Sequence, residues 1–218
     1  MGEGLLLICL GAVIGGVAGR ALARARRAAA VPVGWCVAAT GALWGMVWGL
    51  GRVGALPGWW IPVPLAATAF AVPLACADLL YHRLPDVLTL PAYALAGAAV
   101  GAAAISGPGP PLLGAALIGS GMTLAIHALV HGIAPDSLGA GDVKLSGSLG
   151  MLTAAAGWPT WMFALVLASV FTAGLAGAAV LVGSRRWRRG VPHGPGLLLA
   201  TCVGVMFPGE LVVVGMGS

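Results

Sequence analysis

The chain has 218 residues, of which 60% are hydrophobic and only 8% charged, and its mean hydropathy is +1.01. A water-soluble domain carries about 25% charged residues, so a soluble globular domain, a disordered chain and a secreted disulfide scaffold are all excluded. The net charge is +5, and Cys9, Cys36, Cys76 and Cys202 lie scattered in apolar stretches without CxxC spacing, which argues against a zinc knuckle or a redox motif.

A bilayer core about 30 Å thick takes about 20 apolar residues per helix. The apolar runs predict eight membrane spans, over residues 4–23, 33–51, 58–79, 87–106, 111–132, 143–157, 158–183 and 194–216. Runs of this length are helices and not alternating barrel strands. With short connections, the fold class is all-α: one polytopic helix bundle over residues 1–218.

The first span has Glu3 as its only early charge, and Arg20, Arg24, Arg26 and Arg27 follow the apolar run. That order reads as a retained helix that starts outside, not as a cleaved signal. Gly11, Gly15 and Gly19 in span 1, and Gly41, Gly45 and Gly49 in span 2, repeat every four residues and predict close helix packing. Trp59, Trp60, Trp158 and Trp161 fall at the expected outer boundary and Trp187 at the inner one, as interfacial anchors. In span 5, Gly119-Ser120-Gly121 lacks the glycine that would make it a GxSG serine loop, so it reads as small-residue packing. His127 and His131 have i, i+4 spacing, but no Glu follows His127 as a helical zinc site requires; they read as an interfacial pair. Span 6 is short, about 22 Å at 1.5 Å per residue. It must still cross, or Arg185, Arg186, Arg188 and Arg189 would fall on the wrong side. The loop Gly139-Ala140-Gly141-Asp142 at its start should therefore dip into the protein interior.

Ten of the eleven Lys and Arg residues fall on odd-numbered connections; Arg52 is the exception. By the positive-inside rule that side is cytoplasmic, with both termini outside. The basic balance thus reflects orientation in a lipid bilayer, and no motif or stacked aromatic series suggests nucleic-acid binding.

Acidic residues are few: Glu3, Asp78, Asp86, Asp136, Asp142 and Glu210. The four aspartates fall in or beside two connections on the cytoplasmic side. An ionisable group at membrane depth is costly and is a functional candidate by default. Asp78, inside an apolar run, and Asp142, opening the short span, are the two expected at that depth. Asp86 after Pro85 and Asp136 after Pro135 read as exposed cap or turn residues. Two carboxyls close together in a low dielectric share one proton; one then activates water while the other polarises a carbonyl. Gly139 and Gly141 offer backbone shapes closed to other residues and close approach for a substrate strand. Spacing alone leaves two alternatives open: a structural capping pair, or the ion site of a proton- or cation-coupled transporter.

Three motifs carry a family resemblance. They are Asp78-Leu-Leu-Tyr-His-Arg-Leu-Pro-Asp86-Val-Leu-Thr-Leu-Pro91, Gly139-Ala-Gly-Asp-Val-Lys-Leu145, and Val191-Pro-His-Gly-Pro195. In this order they resemble the type IV prepilin peptidases, bacterial membrane aspartic proteases of the GxGD type. The resemblance covers about residues 70–216 well and the first two spans, residues 1–55, loosely. It implies Asp78 and Asp142 as the catalytic pair, supported by Gly139, Gly141, Lys144 and Pro85. Lys144 follows the GxGD motif, where tuning of Asp142, substrate contact or snorkelling are the open roles. His193 stands where the family usually has Phe. The implied substrates are prepilin or pseudopilin precursors, cut between a short basic leader and a hydrophobic helix at the cytoplasmic face of the bacterial inner membrane. Proteolysis of this kind requires no cofactor. The first cytoplasmic connection, about residues 24–32, has no cysteine, so the family's zinc-binding insertion is missing. S-adenosylmethionine enters only if the family's N-methyltransferase activity is retained.

Overall fold

The computed structural model describes residues 2–25, 28–135, 138–183 and 190–208. Among them there are eight α-helices, one 3-10 turn and no strand. The helices are α1 (Gly2–Arg24), α2 (Val33–Arg52), α3 (Pro62–Tyr81, preceded by the 3-10 turn Gly58–Trp60), α4 (Asp86–Ser106), α5 (Pro110–Ile133), α6 (Ala140–Ala155), α7 (Trp158–Leu181) and α8 (Gly194–Met206). The starts follow local chemistry. Proline stands at the first or second position of α3, α5, α7 and α8, where its missing N–H costs nothing and its fixed φ suits the helix. Pro85 is the N-cap of α4. Gly157, at φ 127°, makes the turn from α6 to α7 in a conformation that favours glycine.

Helices α1 to α5 and α7 are long and apolar enough to cross a membrane. The other two are shorter, with 16 residues in α6 and 13 in α8. Expected and observed boundaries differ at both. α6 begins at Ala140, not 143, because Asp142 accepts the N–H of Gly139 and caps a helix that already contains it. α8 ends at Met206, where Phe207 leaves the helical conformation; residues 209–216 of the expected span lie outside the described residues. Arg26, Arg27, Asp136, the cluster Arg185, Arg186, Arg188 and Arg189, Trp187 and Glu210 lie outside the described residues.

α3, α6 and α8 form the interior of the bundle, with α4, α5 and α7 packed against α6 and α1 and α2 against α3. The main core joins Leu74, Leu145, Leu149, Leu152, Leu198 and Val205 to a bed of alanines. Position explains the composition of α6, the least apolar of the eight helices. It meets protein on every side, so its hydroxyls need only their own backbone. Ser146 donates to the Val143 carbonyl (2.8 Å), Ser148 to Leu145 (2.8 Å) and Thr153 to Leu149 (3.0 Å).

α1 packs along α2 as the glycine spacing predicts. A Cβ on Gly11 would stand 2.7 Å from the Trp44 ring and one on Gly45 2.9 Å from Ile8, while one on Gly15 would run into the Cys36 carbonyl. Gly49 departs from the pattern: it faces open space. In span 5, Gly119 is packed hard against Ala154 and Gly150, whereas Gly121 touches nothing.

Two of the tryptophans are not interfacial anchors. Trp60 is fully buried and donates its indole N–H to the Val205 carbonyl (2.9 Å); Trp161 is buried and donates to Thr123 Oγ1 (2.7 Å). Each fastens one helix to another from inside. Nor are the histidines an interfacial pair. His127 is buried, its Nδ1 2.8 Å from the Thr123 carbonyl, while His131 Nδ1 lies 2.6 Å from the Leu138 carbonyl and ties α5 to the connection leading into α6.

Candidate active site

Asp78 sits in the last turn of α3, at 4% exposure. The helix stops one turn later at His82, which adopts a left-handed conformation (φ 49°) and closes its N–H onto the Asp78 carbonyl at 2.8 Å. Pro85 then disfavours helix at Leu84 and caps α4, so the chain reverses within four residues. Tyr81 Oη donates to the Ala30 carbonyl (2.7 Å) and holds this end of α3 against the connection after α1.

Asp142 occupies the third position of α6, at 7% exposure. Its Oδ2 accepts the Gly139 N–H at 3.2 Å, and its Oδ1 is buried with no hydrogen-bond partner. Here the positive end of the helix dipole favours a negative charge.

A third segment completes the arrangement. Gly194, the first residue of α8, donates its N–H to Asp78 Oδ2 at 3.1 Å. A Cβ on Gly194 would stand 2.6 Å from Asp78 Oδ2, 3.2 Å from Asp142 Oδ1 and 3.2 Å from Leu84 Cδ1. Both carboxylates therefore flank one point, and their separation is bounded by the sum of the first two distances. The structure brings Asp78 and Asp142 together, although 64 positions separate them in the chain.

The two glycines of the GxGD motif serve packing, not unusual backbone shapes. Gly139 is extended at φ −69°, and Gly141 lies within the helix. A Cβ on Gly141 would stand 2.9 Å from Leu84 Cβ, and one on Gly139 3.2 Å from Asp142 Oδ2. Gly141 thus lets the 82–85 reversal close over the start of α6.

An open cavity of about 900 Å³ leads to the pair, past Ala25, Arg83, Pro85, Gly139 and Lys144. The connections after α1, α3 and α5 thus share one end of the bundle, as their odd numbering requires. At the rim, Lys144 Nζ binds both oxygens of Asp86 (2.9 and 3.0 Å), with each side chain about half exposed. Lys144 is therefore engaged by Asp86, a pairing that residue-by-residue reading missed although both sit on the same side in opposite charge. Asp136 is outside the described residues.

Residues 65–177, just over half of the chain and including both aspartates, match the type IV leader peptidase family. The chain belongs to that family. Neither a curated protein nor a solved structure matches it significantly. The family match makes this membrane protein a member of a peptidase group and encloses the Asp78 and GxGD segments. It stops short of Gly194, so the place of α8 in the site of this leader-peptidase relative comes from tertiary structure.

His193, next to Gly194, is held from two sides. Its Nδ1 lies 2.8 Å from Thr172 Oγ1 on α7, and its ring centroid is 5.8 Å from that of His127 on α5. Burial, and then the neighbouring His127, push the His193 imidazole down to about 4. It is a neutral tether at neutral pH. Sequence reading noted it only as a replacement for Phe; what it bonds depends on α7, which the local motif does not contain.

Proposed function

We propose that the protein is an aspartic endopeptidase that removes short basic leaders from type IV prepilin or pseudopilin precursors at the cytoplasmic face of the bacterial inner membrane. The observation that carries this reading is the convergence of Asp78 and Asp142 on one point beside Gly194, at the inner end of an open cavity. The family membership supplies the peptidase class.

One carboxyl of the pair is ionised and the other protonated. The ionised one takes a proton from water as the hydroxide oxygen bonds to the scissile carbonyl carbon. The protonated one gives its proton to the carbonyl oxygen, forming a neutral gem-diol intermediate. Collapse breaks the C–N bond: a proton passes from the first carboxyl to the leaving amine, and the second recovers its own from a gem-diol hydroxyl. The scheme uses two carboxyls and water, and draws on no cofactor. N-methylation with S-adenosylmethionine is not part of the proposal.

Orientation follows from the shared end. Arg24, Arg83 and Lys144 lie beside the cavity or at the helix end leading to it, and the positive-inside rule places that end in the cytoplasm. There a leader carrying basic residues would enter from water while the hydrophobic helix behind it stays in lipid. Arg83 and the 185–189 arginines are assigned to orientation and anionic lipid, because like charge would repel the leader.

The test is cleavage of a prepilin-like substrate by the full-length protein in membranes. Wild type should cut, Asp78→Asn and Asp142→Asn should not, and Asp86→Asn and Asp136→Asn should still cut. Cleavage by Asp142→Asn at normal expression would sink the mechanism. If wild type leaves several such substrates intact, the endopeptidase reading fails.

A further inference from the structure

The pair of aspartates does not complete the buried polar group at this site. Gly194 is part of it, and its glycine identity is not demanded by backbone shape, since its φ is not positive. What demands it is space. Asp78 Oδ2 and Asp142 Oδ1 both press on the position a Cβ would take. Asp142 Oδ1 is buried without a hydrogen-bond partner and aims at the same place.

We propose that Gly194 is a positioning residue of this site: its N–H fixes Asp78, and its missing side chain leaves the gap across which Asp78 and Asp142 address one reacting atom. The inference rests on the proposed function and deepens it. The start of α8 is built to hold such a residue in place. Thr172 on α7 bonds His193 and donates to the Ala168 carbonyl (2.9 Å). Gly196 lies so close to α7 that a Cβ there would stand 2.8 Å from that same carbonyl. The first turn of α8 is therefore clamped onto α7, and the clamp sets where the Gly194 N–H points. A methyl group at 194 would push against both carboxylates, and displacement of a reacting group by about 1 Å costs about 100-fold in rate.

The experiment measures kcat and KM for a synthetic prepilin-like peptide with purified full-length protein in proteoliposomes. Gly194→Ala should lower kcat about 100-fold with KM within about threefold of wild type. Gly204→Ala, on the same helix but ten residues beyond Gly194 and crowded by Thr160 Cγ2 at 2.9 Å, should lower the melting temperature and keep kcat. Retention of more than about a tenth of kcat in folded Gly194→Ala overturns the role, and so does an equal loss in Gly204→Ala. Leu84 is the apolar neighbour of the same point, so Gly194→Ala with Leu84→Ala separates crowding from positioning. Return of kcat to the level of Leu84→Ala alone overturns the role; persistent loss supports it. Amide exchange gives a reading that needs no substitution at 194. In Asp78→Ala the Gly194 amide should exchange at least about tenfold faster while the Leu197 amide is unchanged, and an unchanged Gly194 amide overturns the role. If wild type does not cut, the proposed function falls and takes this role with it. If wild type cuts and both Asp→Asn variants do not, yet Gly194→Ala does, only the role of Gly194 falls.

Discussion

The α1–α2 pair and the α3–α6–α8 interior both depend on glycine, and they use it differently. In α1 and α2, the missing side chain makes room for a neighbouring helix: Gly15 lies under the Cys36 carbonyl and Gly11 under the Trp44 ring. In the interior, Gly141 makes room for Leu84 and Gly194 for two carboxylates. The surroundings differ as well. The outer face of α1 carries exposed Leu5, Leu6, Val13 and Val17, whereas Leu145, Leu149, Leu152, Leu197 and Leu198 of α6 and α8 are all buried. The absence of a Cβ is one physical property; what occupies the vacated space is a neighbouring helix in the first region and a pair of carboxyls beside Gly194 in the second.

Substitutions separate the two uses. The largest effect is expected at the aspartates, where Asp78→Asn or Asp142→Asn should lower kcat by more than about 1,000-fold without lowering the melting temperature. Next comes Gly15→Leu. Overpacking of a close helix contact costs about 2–3 kcal/mol, so the melting temperature should fall while the folded fraction keeps wild-type kcat. A loss of kcat at unchanged melting temperature would break the comparison, because α1–α2 would then serve the site directly.

His193→Phe sharpens the comparison through pH. The folded-state value of His193, about 4, lies below the ordinary 6.5. On acidification the unfolded chain therefore takes up a proton first, and stability is lost as pH falls from about 6.5 towards 4. Melting curves from pH 7 to 4 should show wild type losing about 3 kcal/mol more than His193→Phe. Parallel curves for the two proteins would show that His193 is not the partly buried neutral group described. The smallest effect belongs to Lys144–Asp86. This pair is half exposed, and a double-mutant cycle should give a coupling below about 1 kcal/mol. A larger coupling would move the pair from the rim into the working part of the site.

Most helices were legible because a membrane demands long apolar runs: α1 to α5 and α7 fall within a few residues of the expected spans. The aspartates were legible for the same reason, since a carboxyl in such a run stands out. The tryptophans were not. An indole near a helix end looks alike in sequence whether it faces lipid headgroups or bonds the Val205 carbonyl, as Trp60 does. The start of α6 was misjudged because Asp142, which interrupts the apolar run, caps the helix from within its first turn.

By itself, the order of residues determined the all-helical class, the shared end of the odd-numbered connections and the two carboxyls that are buried. These follow from the cost of leaving backbone or charge in hydrocarbon, which acts on each segment separately. Tertiary structure alone decided that α8 joins the site, that Gly194 stands between Asp78 and Asp142, and that His193 is tied to Thr172. Those relations join side chains from α3, α6, α7 and α8, and no local pattern encodes which surfaces of four helices will meet.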